Sequence, residues 1–150
     1  MSMWQKFNQI INKYIGKRVD YNYDKSYQCV DFVKQYVLEQ YWVTLNPFGP
    51  SALTGWNSGS PFNSSWKRVV YTQWTFPEVG DIVFLDKTYG NKYGHVCVAD
   101  ANCNQSVLNI IEQNAWDGLG SWLGWNAVTR RSIKYKSNRG NCLGWFTLIR

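Results

Sequence analysis

Residues 20–40 read DYNYDKSYQCVDFVKQYVLEQ, and the fold turns on how this stretch is read. Val30, Val33, Tyr36, Val37 and Tyr41 recur at intervals of three and four, which predicts an amphipathic helix from Tyr27 to about Trp42. Cys29 then falls in the first helical turn. Backbone N–H groups there lack helical partners, and the positive end of the helix dipole favours an anion, so a thiol is drawn toward thiolate. The same N–H groups suit a developing oxyanion. A small residue packed on a helix is the plain alternative, and position alone leaves both readings open.

The first half of the stretch is rich in oxygen donors. Asp20, Asn22, Asp24, Ser26 and Asp31 occupy positions 1, 3, 5, 7 and 12 of the window 20–31, the ligand spacing of an EF-hand calcium loop. Hard oxygens at these offsets let a short loop wrap a calcium ion. Two positions depart from that pattern: Lys25 stands where glycine makes the sharp turn, and Asp31 stands where a bidentate Glu closes the loop. A helix-capping turn, with Asp31 favouring the first turn of its helix, is the alternative.

Working outward, Trp4, Phe7, Ile10, Ile11, Tyr14 and Ile15 predict an earlier helix, capped by Ser2 and ended by Gly16. That helix ends too early for a helix–loop–helix. Residues 43–79 carry turn signals such as Asn46-Pro47, Gly49-Pro50 and Phe76-Pro77, with short helical turns expected at 51–56 or 65–73. From Val79 the period changes, and 81–85, 94–100, 107–114, 127–136 and 143–149 read as strands of a small antiparallel sheet. Helices first and strands after define an α+β fold, and with no long linker residues 1–150 read as a single domain.

Composition narrows the classes. A hydrophobic share of 45% with 17% charged residues fits a globular chain and excludes a disordered one. Nine Trp and ten Tyr are more than a core needs, so some are expected to line a groove. The net charge is +6, and the run from Ser121 onward holds Arg130, Arg131, Lys134, Lys136, Arg139 and Arg150 but no acid. Such a field favours anionic partners, an anionic cell-wall polymer among them. No motif specific for nucleic acid is present. A single histidine and no C-x-x-C pair argue against a zinc site, so Cys97, Cys103 and Cys142 read as buried or free thiols. The N-terminal residues show neither a signal-peptide core nor a membrane span, which implies synthesis in a cytoplasm.

A thiol nucleophile needs a base, and His95 is the one imidazole. It opens the strand GHVCVAD after a turn, a rigid and accessible place; a structural histidine is the alternative. In the next strand Glu112 and Asn114 are two apart, so they share a face, and it is the face of His95 if the strands pair through ANCNQ. A carboxylate or amide there can fix the imidazole tautomer and stabilise its cation. A solvated strand end would explain the same pair.

Cys29 in QCVDF, Gly80-Asp81 in GDIVF, His95 in GHVCV and Glu112 with Asn114 in EQN occur in this order. Together they resemble the CHAP family of cysteine, histidine-dependent amidohydrolases/peptidases, and within it the CHAP domains of phage endolysins. The resemblance runs over roughly residues 10–150. It implies a papain-like α+β fold, with N-terminal helices packed on the sheet, and cleavage of an amide bond in bacterial peptidoglycan. It makes Cys29 the nucleophile, His95 the general base, Glu112 its orienting residue and Asn114 a further polar member of the site. Both an N-acetylmuramoyl-L-alanine amidase and an endopeptidase fit. Several endolysin domains of this kind carry a structural calcium just before the nucleophile, which implies Asp20, Asn22, Asp24, Ser26 and Asp31 as ligands. Asn22 stands where an Asp is often found.

Position alone suggests Gln28 for the oxyanion and Trp116, with Trp74, Trp122 and Trp125, for the substrate groove. The expected partner is peptidoglycan, the expected state a monomer without organic cofactor. The wall would be reached after holin-type release from the host cytoplasm or from a virion, and no separate wall-binding domain is visible in the sequence. The rival readings are a basic, aromatic-rich wall-binding module without catalysis and an NlpC-type cysteine peptidase.

Overall fold

In a computed structural model, which describes residues 1–24, 27–86, 92–114, 127–137 and 140–149, the first helix begins where the sequence supplies a cap. Ser2 Oγ accepts the Gln5 N–H at 3.1 Å, and the Gln5 side chain accepts the Ser2 N–H at 2.8 Å. This reciprocal box satisfies two otherwise orphaned donors and starts α1, Met3–Tyr14. Phe7, Ile10 and Ile11, one stripe of the helix, are buried.

The second helix, α2, is Cys29–Tyr41, so the nucleophile candidate is its first residue. The Asp31 carboxylate accepts the Gln28 N–H at 2.7 Å and holds the helix start. Trp42, in the left-handed region at φ 59°, ends it. Phe32, Val33, Tyr36 and Val37 are fully buried, each contributing about 1.5–3 kcal/mol of apolar transfer. A short α3, Ala52–Ser58, is capped by Ser51 and stopped by Gly59.

Among the described residues seven strands follow: β1 Trp66–Val70, β2 Ile82–Leu85, β3 His95–Ala99, β4 Leu108–Glu112, β5 Thr129–Ile133, β6 Lys136–Ser137 and β7 Gly140–Leu148. They form one antiparallel sheet in the order β1-β7-β2-β3-β4-β5, with β6 paired to β7. The expected α+β class holds, on a sheet larger than the sequence suggested.

Two corrections have physical reasons. Residues 65–73 are not a helical turn, because Trp66–Val70 pairs along its whole length with β7 and buries Trp66. The expected strand 127–136 breaks after Ile133, because Tyr135 turns into the core and stacks on Tyr71 at 4.9 Å.

Both faces of the central strands are covered. Ile82, Phe84, Val96, Val98 and Ile111 pack with the helices. Val83, Leu85, Cys97, Ala99 and Ile110, which alternate with them, pack with Tyr135, Cys142 and Trp145. Strands buried on two sides read as continuous apolar runs, as IVFL and HVCVA do. All four cysteines are free, with Cys97 and Cys142 buried. Among the described residues no helix is long and apolar enough to cross a membrane.

Candidate active site

β3 begins at His95 because of the residue before it. Gly94 has φ 71°, and a Cβ there would meet the Leu85 carbonyl oxygen at 3.0 Å and Leu53 at 3.1 Å. Glycine therefore allows both the turn and the close approach that bring His95 to the strand start. Val98 lies opposite Ile111, which sets Glu112 beside Cys97 one step along and on the side of His95.

His95 Nε2 and Glu112 Oε2 are 2.9 Å apart, and both side chains are only 1% exposed. The ring's other nitrogen is thereby left for the thiol of Cys29, which hydrogen-bonds His95. The other oxygen of Glu112 pairs with the Arg131 guanidinium from β5. A line of groups thus runs from Cys29 through His95 and Glu112 to Arg131.

The charges of this line support one another. Burial acts to raise the Cys29 thiol. The hydrogen bond and charge of His95, with the Val96 and Val30 backbone, outweigh it and hold the thiol below its ordinary value. Burial likewise acts to lower His95, but Cys29 and Glu112 raise it from 6.5 to about 10. Burial raises Glu112, and His95 and Arg131 bring it below the usual carboxylate value. All three shifts run toward the charged forms, thiolate, imidazolium and carboxylate, because each charge is stabilised by its neighbour in the line.

Cys29 opens on a groove of about 480 Å³ lined by Gln28, Lys34, Phe48, Tyr93 and Asn114 among others. Asn114 follows β4 with φ 59° and donates from Nδ2 to Gln28 Oε1 at 2.9 Å. Its hydrogen bond goes to Gln28, whereas the carboxylate on the imidazole is that of Glu112. Since Oε1 is engaged, the Gln28 amide can offer its Nε2 donors toward the groove, beside the helix-start N–H groups. Trp74 is exposed on the loop after β1 and does not line the groove. Trp116, Trp122 and Trp125 lie outside the described residues.

The oxygen-rich loop stands at the groove's edge. Carboxylate oxygens of Asp20, Asp24 and Asp31 lie within 4.8 Å of one another. Asp20 Oδ1 accepts the Asp24 N–H at 3.1 Å, and Asn22 Nδ2 donates to Asp24 Oδ2 at 2.9 Å. Burial pushes the Asp31 carboxyl up, the Gln28 N–H pulls it down, and the charges of Asp24 and Asp20 push it up again; it ends raised. The converging hard oxygens of Asp20, Asp24 and Asp31 fit a divalent cation such as calcium. Ser26 and Lys25 lie outside the described residues.

Two residues of this region escaped the sequence reading. Arg131 counted only as part of a basic run, although β5 places it beside Ile110, diagonal to Glu112. Gln113 is fully buried and bonds to Val19 and Gln28. A polar residue directly after an apolar strand, between two site candidates, was the available signal.

Residues 19–114 match the CHAP domain family, and the chain belongs to it. The matched span holds Cys29, His95, Glu112 and the whole acidic loop. Solved structures with the same fold include a wild-type endolysin, LysIME-EF1, at TM-score 0.69 and 21% identity over 95% of this chain and 64% of that one. Ly7917 gives 0.62 and 21% over 99% and 63%. A structure of Ly7917 with the hydrolyzing product of MDP gives 0.65 and 22% over 99% and 63%. The chain thus spans somewhat under two thirds of the length of these proteins. No curated protein matches it.

Proposed function

We propose that this chain is a peptidoglycan hydrolase of the endolysin type that cleaves an amide bond through Cys29. The observation that carries the reading is the continuous Cys29–His95–Glu112 contact, buried on the strand side and open to a groove at the thiol. Membership of the CHAP family and the likeness in fold to endolysins support the wall as substrate.

His95 holds the proton of Cys29, and the thiolate attacks the amide carbonyl carbon. The oxyanion is held by helix-start N–H groups and by Gln28 Nε2, whose amide Asn114 orients. The imidazolium protonates the leaving amine as the C–N bond breaks. His95 then takes a proton from water, which attacks the thioester and releases the acid and the thiol. Glu112 keeps the ring in place and stabilises its cation, and Arg131 keeps Glu112 charged.

Asp20, Asn22, Asp24 and Asp31 would hold calcium, together with Ser26. The ion would supply charge compensation to the loop that leads into α2, and no chemical step requires it. The basic surface suits an anionic wall polymer as a secondary contact. Mass spectrometry of fragments released from purified peptidoglycan tests the reading. New N-termini identify the bond, at the sugar–peptide link for an amidase or within the peptide for an endopeptidase. Release of the same fragments by Cys29→Ala would refute the thiol mechanism.

A further inference from the structure

The acidic loop, residues 20–27, has Val19 on one side and Gln28 on the other. One buried side chain holds both. Gln113 Oε1 accepts the Val19 N–H at 2.6 Å, and its Nε2 donates to the Val19 carbonyl at 2.8 Å and to the Gln28 carbonyl at 2.9 Å. The amide pairs with Val19 as a neighbouring strand would, and its second N–H reaches across the loop to Gln28. Gln113 is 0% exposed. Burying an amide is unfavourable unless its donors and acceptors are met, and here all three N–H and C=O demands find backbone partners at the two ends of one loop.

Its neighbours in sequence make the placement informative. Glu112 meets His95, Gln113 meets the loop ends, and Asn114 meets the Gln28 side chain. Three consecutive residues of one strand end thus touch the base, the loop and the oxyanion candidate. We propose that Gln113 is a positioning residue: it fastens both ends of the 20–27 loop to the strand carrying Glu112, and so sets Cys29, one residue beyond Gln28, against His95. This rests on reading Cys29 and His95 as the reactive pair. A looser anchor lets the helix start drift relative to a base fixed in the sheet, and a displacement of about 1 Å can lower reactivity by on the order of a hundredfold.

The experiment compares Gln113→Met, Gln113→Glu and a core control, Phe146→Leu, all shown folded by circular dichroism. Iodoacetamide alkylation at fixed pH, followed by peptide mass mapping, reads Cys29 apart from the other thiols and needs no wall substrate. Both Gln113 variants should slow Cys29 alkylation and wall clearing by about tenfold to a hundredfold, while Phe146→Leu at a comparable loss of melting temperature leaves alkylation near the wild-type rate. Gln113→Glu keeps the acceptor for Val19 but turns an anion toward two carbonyls, so it serves if the Met variant does not fold. In the wild-type protein the Val19 amide should exchange with solvent as slowly as the β3 amides. Alkylation in the Gln113 variants no slower than in the control, or rapid exchange at Val19, would overturn the proposal. Wall clearing by Cys29→Ala would instead refute the thiol reading, leaving the exchange result to judge the anchor.

Discussion

The site is built from two halves of opposite character. On the strand side, His95, Glu112 and Arg131 alternate in charge and the first two are sealed from solvent. On the loop side, Asp20, Asp24 and Asp31 converge with like charge, and burial, with the charges of Asp24 and Asp20, raises Asp31. The strand half pairs opposite charges within itself; the loop half gathers carboxylates of one sign. Cys29 sits where the two meet. The candidate base is thus held in the sheet by groups of opposite charge, while the candidate nucleophile follows a loop on which like charges meet.

Substitutions at the meeting point should have the largest effect. Cys29→Ala and His95→Ala should each lower clearing of purified walls by about a thousandfold or more; Cys29→Ala should keep its melting temperature within a few degrees, whereas His95→Ala, which takes away the buried partner of Glu112, should lose more. Turbidity decay and thermal unfolding measure the two quantities, and near-normal clearing by either variant would dissolve the comparison at its centre.

Within the strand half, Glu112→Gln should cost on the order of a hundredfold in activity. It should also lower the His95 titration from its value of about 10. The chain has a single histidine, so one imidazole NMR signal reports this directly. The sign for stability follows from the raised value. Protonated His95 contributes stability that is fully present below about 6.5, the ordinary value, and is lost as pH rises through about 10. Unfolding midpoints should therefore decline between these limits in the wild type, and less so in Glu112→Gln.

The loop half should respond in the opposite way to removal of a charge. Calcium at a hundred times its dissociation constant should add about 2.7 kcal/mol, a rise in melting temperature of roughly 5–10 °C for a domain of this size. Asp31→Asn should abolish that response and yet raise the melting temperature in chelator by a degree or more, because it removes a repelled charge while keeping an oxygen for the Gln28 N–H. A calcium response unchanged in Asp31→Asn would separate the ion from this loop. Smallest is Gly94→Ala, where a left-handed φ and the close Leu85 carbonyl should cost about 1–2 kcal/mol; differential scanning calorimetry would read it as a fall of a few degrees.

Much of this was legible in the chain. α2 announced itself through Val30, Val33, Tyr36 and Val37, which follow the helical period because only one side of the helix meets the core. His95 and Glu112 were legible because paired strands force a common side on residues at matching parity. The edge strand β1 was not, since Lys67, Arg68 and Val70 are solvent-facing or partly so, and its identity comes from pairing with β7 some eighty residues later. Arg131 and Gln113 were hidden for the same reason. Their partners, Glu112, Val19 and Gln28, are distant in sequence or on another strand, and composition carries no record of such contacts.

The place of β7 has a consequence for the order of events during synthesis. β1 and β2 are neighbours in sequence, yet β7 lies between them in the sheet and, among the described residues, is the ladder partner of β1. Cys29, His95 and Glu112 are all synthesised before residues 140–148. Until β7 is made, β1 and one edge of β2 wait for the strand that pairs with them. A nascent chain can therefore hold every group of the site while the sheet that fixes them is still unfinished, and closure waits until residues through Leu148 have been made.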